Sequence, residues 1–459
     1  MKVNKLFVLF MFVALLLSAC GPAATPAPAP TAAPVATEAP AAAPAATVAP
    51  TAAPAPTAAP AAVELRFEYY ADGPEATVMQ PLIDKFQAAN PDITVKLDVV
   101  PYKTITDELP VQAKAGQVPD MARITNFGAF RGMLLDMRPM LKDASFMEKN
   151  FAAPVLAAMR PAGDTSGLYG FPDTLTVTGP FVNKTLFDQA GVAIPPATAS
   201  WADWAAATKQ VKDKTSVKYA LTTDATGHRL ASAIFSMGGT LLTPDGKFVV
   251  DSKGFRDFVT MLKDWHTQGL APKEVWLAKA GTSCIALFKS GDLPFCLSGS
   301  WQVGGLAKDV GTKFDWIVVP APAGPGGSVG IAGGSAVVAF SGTKHPKEVT
   351  RFMEFLMTPE NYSAFSAGTL ALPAEAAVAT AGVNYKTDNA AVKAALNAFT
   401  ASVPNINDQG WALNVNPNAF AWYQNSYTRV SQYINGELSL DDMMTKLQAD
   451  IDTAIAQKK

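Results

Sequence analysis

Val63-Glu64-Leu65-Arg66-Phe67-Glu68-Tyr69-Tyr70-Ala71-Asp72-Gly73-Pro74 is the stretch from which the fold of this chain can be read. Val63, Leu65, Phe67 and Tyr69 alternate with Glu64, Arg66, Glu68 and Tyr70, the period of a strand. Pro74 then opens a helix with Val78, Leu82 and Phe86 at four-residue spacing, and Asn90-Pro91 stops it. Ile93, Val95, Leu97 and Val99 alternate again, a second helical stretch runs to Gly116, and Pro119-Asp120 introduces a third strand. The order β-α-β-α-β with short links predicts an α/β fold built on an open sheet with helices on its faces. In such sheets ligands sit beyond the carboxyl ends of the strands. That rule selects Tyr70-Ala71-Asp72-Gly73 and Ile124-Thr125-Asn126-Phe127.

Upstream, Lys2 and Lys5 precede an apolar run from Leu6 to Leu17, followed by Ser18, Ala19 and Cys20. Residues 1–19 read as a secretory signal peptide whose apolar run is short for a bilayer span. Leu17-Ser18-Ala19-Cys20 resembles the lipobox of bacterial lipoproteins. The resemblance implies cleavage before Cys20 and attachment of lipid (palmitate) to it, so that the chain is anchored to a membrane without spanning it. The alternative is an ordinary signal peptide with an incidental cysteine. Residues 20–62 are nearly all Ala, Pro and Thr, with Glu38 as the only charge. Such a segment buries too little surface to offset its ordering entropy and reads as a disordered tether. It would reach on the order of 130 Å extended and roughly 40 Å as a coil.

From Val63 onward about 400 residues remain, too many for one core and suited to two lobes. The formal net charge is −2 and no basic run occurs, so nothing points to a nucleic-acid partner and none is expected. Cys284 and Cys296 form a candidate disulfide in an exported chain, or else remain two buried thiols; their spacing alone does not decide. His228, His266 and His345 are scattered, suggesting no catalytic triad and no metal set. There is no H-E-x-x-H or P-loop, so neither an enzyme nor a cofactor is expected. A glycosidase with two opposed carboxylates stays open as the reading from a different class.

The ordered motifs of the body carry a resemblance. Asn90-Pro91-Asp92-Ile93, Ala115-Gly116, Pro119-Asp120 and Gly132-Met133-Leu134-Leu135-Asp136 are followed by Leu168-Tyr169-Gly170-Phe171-Pro172 and Phe181-Val182-Asn183-Lys184. Later come Phe288-Lys289-Ser290-Gly291, Leu297-Ser298-Gly299-Ser300-Trp301, Gly333-Gly334-Ser335 and Gly368-Thr369-Leu370-Ala371-Leu372-Pro373. Together they resemble the sugar-type, maltodextrin-binding class of extracellular solute-binding proteins of ABC importers, over nearly all of Val63 to Lys459. The resemblance implies a two-lobed periplasmic-binding-protein fold of type II, two open α/β lobes joined by a multi-strand hinge. Its first lobe takes residues 63–175 and 331–403, its second 176–330 and 404–459. Phe171-Pro172-Asp173 to Phe181 suits the first crossing between them. The resemblance further implies an extracytoplasmic monomer that captures a sugar or oligosaccharide between the lobes and hands it to the transmembrane subunits of a permease. A glycerol phosphate, a polyamine or another polar solute is the alternative cargo.

Sugar recognition needs flat apolar surfaces for ring C–H faces and polar groups for hydroxyls. Trp301, after a short strand and a tight turn, is a candidate platform or a lobe-core residue. Trp411, in a polar loop, and Trp422, on a helix, are further candidates. Tyr70, Asp72 and Asn126 sit at strand ends. Asp72 is the leading carboxylate, or simply a turn aspartate before Gly73. Thr176 and Thr178 line the cleft or satisfy hinge backbone. Gly334 and Ser335 let backbone N–H groups approach a ligand, or only permit a turn.

Overall fold

The computed structural model describes residues 62–276 and 282–457. The signal peptide, the Cys20 anchor and all but the last residue of the tether lie outside the described residues. Among the described residues no helix is long and apolar enough to cross a membrane.

The strands are β1 (Val63–Tyr69), β2 (Ile93–Val99), β3 (Met121–Ile124), β4 (Gly170–Asn183), β5 (Leu221–Thr223), β6 (Phe295–Gly299), β7 (Trp316–Val318) and β8 (Ala332–Ala339). Their order is β2-β1-β3-β8-β4-β6-β5, with β7 also paired to β4. β1 runs parallel to β2 and β3, as the alternating pattern with intervening helices requires. Leu65, Phe67 and Tyr69 are fully buried, which is what fixes the register of β1 on the first core. β8 returns antiparallel beside β3, from Met121 opposite Ala339 to Ile124 opposite Ala336.

β4 is the element shared by the two lobes. Its first half, Gly170 to Val177, pairs with β8, and its second half, from Thr178, pairs with β6 and then β7. The chain is therefore the two-lobed periplasmic-binding-protein fold with a strand hinge. One core gathers β1, β3 and the outer half of β8. A second fills the space around Trp201, Trp204, Trp265 and Trp422. A third, around Phe181, Phe288 and Trp316, holds Cys284 and Cys296, which are joined with Cα atoms 5.6 Å apart.

Two sequence expectations are revised here. The helix Ala390–Ser402, grouped with the first lobe, puts Val392, Leu396 and Phe399 into the third core beside Phe181 and Trp316, so the chain changes lobes before Ala390. Trp411 stands in a helix, Asp408–Val415, not in a loop; the Asn407 side chain caps it by accepting from Gly410 N at 2.8 Å.

Burial holds two histidines neutral. The imidazole of His266 is pushed down to about 4 by burial and then by Lys273, and that of His228 to about 3 by burial and then by Arg229. The unfolded chain takes up these protons near the ordinary value of 6.5, well before the folded chain does. Stability is therefore fully present above pH 6.5 and falls as pH drops toward 4. Glu375 works in the opposite sense: burial raises its carboxyl to about 7, so its contribution weakens as pH rises from 4.5 to 7. His266→Leu is expected to remove about 3 kcal/mol of the acid-side loss, measured as urea-unfolding stability at pH 7 and pH 4. An unchanged pH slope would put the charge of His266 in water.

Candidate functional site

Between the lobes lies a cavity of about 500 Å³, within the range of small-molecule sites. The carboxyl ends of β1 and β3 deliver Tyr70, Asp72, Thr125 and Asn126 from the first lobe. β5 and β6 deliver Thr226, His228, Arg229, Ser300 and Trp301 from the second. The hinge strands contribute Thr176, Gly334 and Ser335 to the floor. Asn414, Phe420 and Tyr423 close one side.

Of the sequence candidates, Tyr70, Asp72, Asn126, Thr176, Trp301, Gly334 and Ser335 are thus brought together around one cavity. Trp411 and Trp422 are not. Trp411 packs against the third core. Trp422 is 0% exposed and its indole N–H donates to Gly227 O at 2.8 Å, which leaves no face for a ligand. Thr178 serves the hinge backbone, its hydroxyl accepting from Ile331 N at 2.8 Å. Gly334 has φ 152°, and a Cβ there would stand 2.3 Å from Thr174 O, so glycine is required by the close approach of β4.

A buried polar network ties the cavity to the hinge. Register between β4 and β8 slips between Pro172 and Thr174, leaving Asp173 as the extra residue of a bulge. Its carboxylate accepts from Arg123 Nε at 2.7 Å and from Ser335 Oγ at 2.6 Å. Arg123 also donates to Tyr70 O at 3.0 Å and lies 4.4 Å from the Tyr70 ring centre. Ser335 and Thr174 share a further bond of 2.8 Å. Two donors of the arginine are thereby engaged, and it holds the ring of Tyr70 at the cavity wall.

Asp72 makes no side-chain hydrogen bond among the described residues. Desolvation between the lobes raises its carboxyl above the ordinary value, against the pull of Arg123, Arg229 and Lys289, although the residue stays open to solvent. It is an acceptor without a donor, aimed at the space between the lobes. Sequence reasoning missed Arg229, His228 and Tyr102. Tyr102 lies just beyond the end of β2, and the strand-end rule that selected Tyr70 reaches it too. Among the described residues, Asp224, Cys284 and Cys296 come within metal-ligand reach of one another, but both sulfurs are in the disulfide.

The lobes also meet directly. The Asp72-Gly73-Pro74 turn of the first lobe seats on the helix Val303–Asp309 of the second. A Cβ at Gly304 would stand 2.9 Å from both Pro74 Cδ and Thr369 O. Across the cavity, a Cβ at Gly128 would stand 2.1 Å from Pro417 O. Both contacts are backbone against backbone or ring, with side chains absent where the surfaces touch.

Known proteins share this architecture. The chain is 24% identical over 327 residues to a binding protein of Brucella abortus, covering 70% of this chain and 76% of that one. It is 24% identical over 335 residues to the maltodextrin-binding protein MdxE of Bacillus subtilis, covering 70% and 76%. Its fold matches the GacH receptor of Streptomyces glaucescens, a structure solved unliganded and with acarbose. That match has a TM-score of 0.71 at 20% identity and covers 84% of this chain and 97% of that one. The family model described as bacterial extracellular solute-binding protein matches residues 81–395, more than half of the chain. With the hinge strand, the interlobe cavity and the strand-end residues that line it, this chain belongs to the bacterial extracellular solute-binding proteins.

Proposed function

We propose that this protein captures a sugar or oligosaccharide between its lobes and delivers the closed complex to the transmembrane subunits of an ABC permease. The observation that carries the reading is the wall of the cavity. Tyr70, Tyr102 and Tyr423 offer aromatic surface, while Asp72, Asn126 and Thr176 offer groups for hydroxyls. That mixture suits a pyranose, apolar on its C–H faces and polar round its rim. The maltodextrin-binding name of one relative and the acarbose bound to a structural neighbour support the same choice. Closure would follow from ligand contacts made by both lobes at once, which shift an open–closed equilibrium. Cys20 would carry the lipid and residues 20–62 would let the body range above the membrane. The protein acts as a monomer in this reading, with no catalytic step.

Thermal denaturation of the purified chain against mono- and oligosaccharides, glycerol phosphates and polyamines tests it. A cognate sugar at a hundred times its Kd is expected to stabilise the fold by about 2.7 kcal/mol. Asp72→Asn is expected to weaken that sugar at least about tenfold, since a charged acceptor becomes a neutral one. Stabilisation by a phosphate or a polyamine alone would replace the cargo and keep the courier. Hydrolysis of the added sugar would favour a carbohydrate-active enzyme.

A further inference from the structure

Arg229 is a cation in the cavity whose donors the protein leaves without acceptors among the described residues. It stands in the first turn of the helix Gly227–Ser236, whose cap, Thr226, accepts from Arg229 N at 3.4 Å. Its guanidinium lies 4.2 Å from the centre of the Trp301 ring. Trp301 is in turn held in place: a Cβ on Gly299 would be 2.0 Å from its six-membered ring, and His228 meets it edge-on at 6.0 Å. One face of Trp301 is therefore occupied by the arginine, and the tryptophan acts there as the bed on which the cation rests.

Among the described residues the Arg229 side chain donates no hydrogen bond, and its Nε is buried without an acceptor. Among the described residues the carboxylate within ion-pair distance is Asp224, whose Oδ2 lies 3.8 Å from Nε and already accepts from Ser298 Oγ at 2.6 Å, while Asp72 across the cavity feels the same charge. Asp224 offsets part of the charge and leaves the fork of donors open. Arg123, by contrast, is engaged by Asp173 and by Tyr70 O. The carboxylates of the cavity wall, Asp72, Glu75 and Asp107, all belong to the first lobe. The second-lobe side therefore presents a guanidinium and a helix N-terminus, both of which favour negative charge.

Resting on the saccharide reading above, we propose that the cargo carries a carboxylate, as a uronic-acid oligosaccharide does, and that Arg229 receives it. A carboxylate fits the planar fork of the guanidinium with two parallel hydrogen bonds. The hydroxyls of the same sugar then face Asp72 and Asn126, and like charges are kept to opposite sides of the cavity.

Calorimetric titration of the purified chain with galacturonate, mannuronate and guluronate trisaccharides, their methyl esters, maltotriose and mannotriose tests this. A uronate is expected to bind, its methyl ester about 10- to 100-fold more weakly, and Arg229→Gln to lower the uronate affinity by a similar factor. Arg229→Lys, which keeps the charge without the fork, is expected to fall between. Circular dichroism and Tm of both variants serve as the folding control. A neutral trisaccharide that binds as tightly as any uronate, with Arg229→Gln changing neither, overturns the acidic-sugar proposal and leaves the saccharide reading standing. Failure of every saccharide, charged or neutral, overturns that reading as well.

Discussion

Asp173→Ala is expected to lower the stability of the chain by about 3–5 kcal/mol, the largest effect of any single side chain considered. Arg123 and Asp173 are both almost wholly buried, with side-chain exposures of 4% and 3%. Removing the carboxylate leaves a cation in the interior with Tyr70 O as its remaining acceptor, and it leaves Ser335 Oγ without its 2.6 Å partner. The loss measures that stranded charge, not the net worth of the pair. Taking both members away, as in Arg123→Met with Asp173→Leu, is therefore expected to restore much of the stability. Urea unfolding of the three variants beside the parent checks this. A loss below about 1 kcal/mol for Asp173→Ala would mean that water reaches Arg123 and that the network is weaker than its geometry implies.

Gly304→Val is expected to weaken ligand binding by about 100-fold while leaving the unliganded fold as stable as before. Gly304 sits in a helix, where a side chain raises intrinsic helix propensity, so no penalty arises within the second lobe itself. The penalty belongs to the joined form. There the new Cβ would lie 2.9 Å from Pro74 Cδ and from Thr369 O, both of the first lobe. A clash that lowers the closed population lowers apparent affinity by the same factor. Gly128→Val, at the opposite contact against Pro417, is expected to act in the same direction. Calorimetry with the cognate ligand, together with the small-angle scattering radius with and without it, separates this effect from unfolding. A Kd within threefold of the parent would mean that the Asp72-Gly73-Pro74 turn does not need the glycine seat when ligand is bound.

Much of the frame was legible because the first lobe begins with an unambiguous period. Leu65, Phe67 and Tyr69 alternate, Leu82 and Phe86 repeat by four, and the strand-end rule then led to Tyr70, Asp72 and Asn126. Arg229 and His228 were hidden for a physical reason. They follow β5, a strand of three residues, too short to display any period. The tryptophans illustrate a different difficulty. On the helix Ala419–Ile434, the buried residues Ala419, Trp422, Ser426 and Val430 form one stripe, and that stripe faces the core. Tyr423, one position on, is turned toward the cavity. The periodicity was present in the sequence, but indole size drew attention to the wrong neighbour. The helix Ala390–Ser402 shows a remaining limit. Its apolar face announces that it packs, and nothing local announces on which lobe.

The placement of β8 has a bearing on how the chain comes to fold outside the cytoplasm. Ile124 finds its neighbour in Ala336, and Phe171 finds Val337, so the first sheet waits for a strand made long after its own. A polypeptide threading a secretion channel with its N-terminus leading thus cannot lock that sheet while most of the second lobe is still to come. Such delayed long-range pairing is intrinsically slow. It keeps the emerging half pliable during export, and it makes assembly of the ligand-binding body one of the last events of biogenesis.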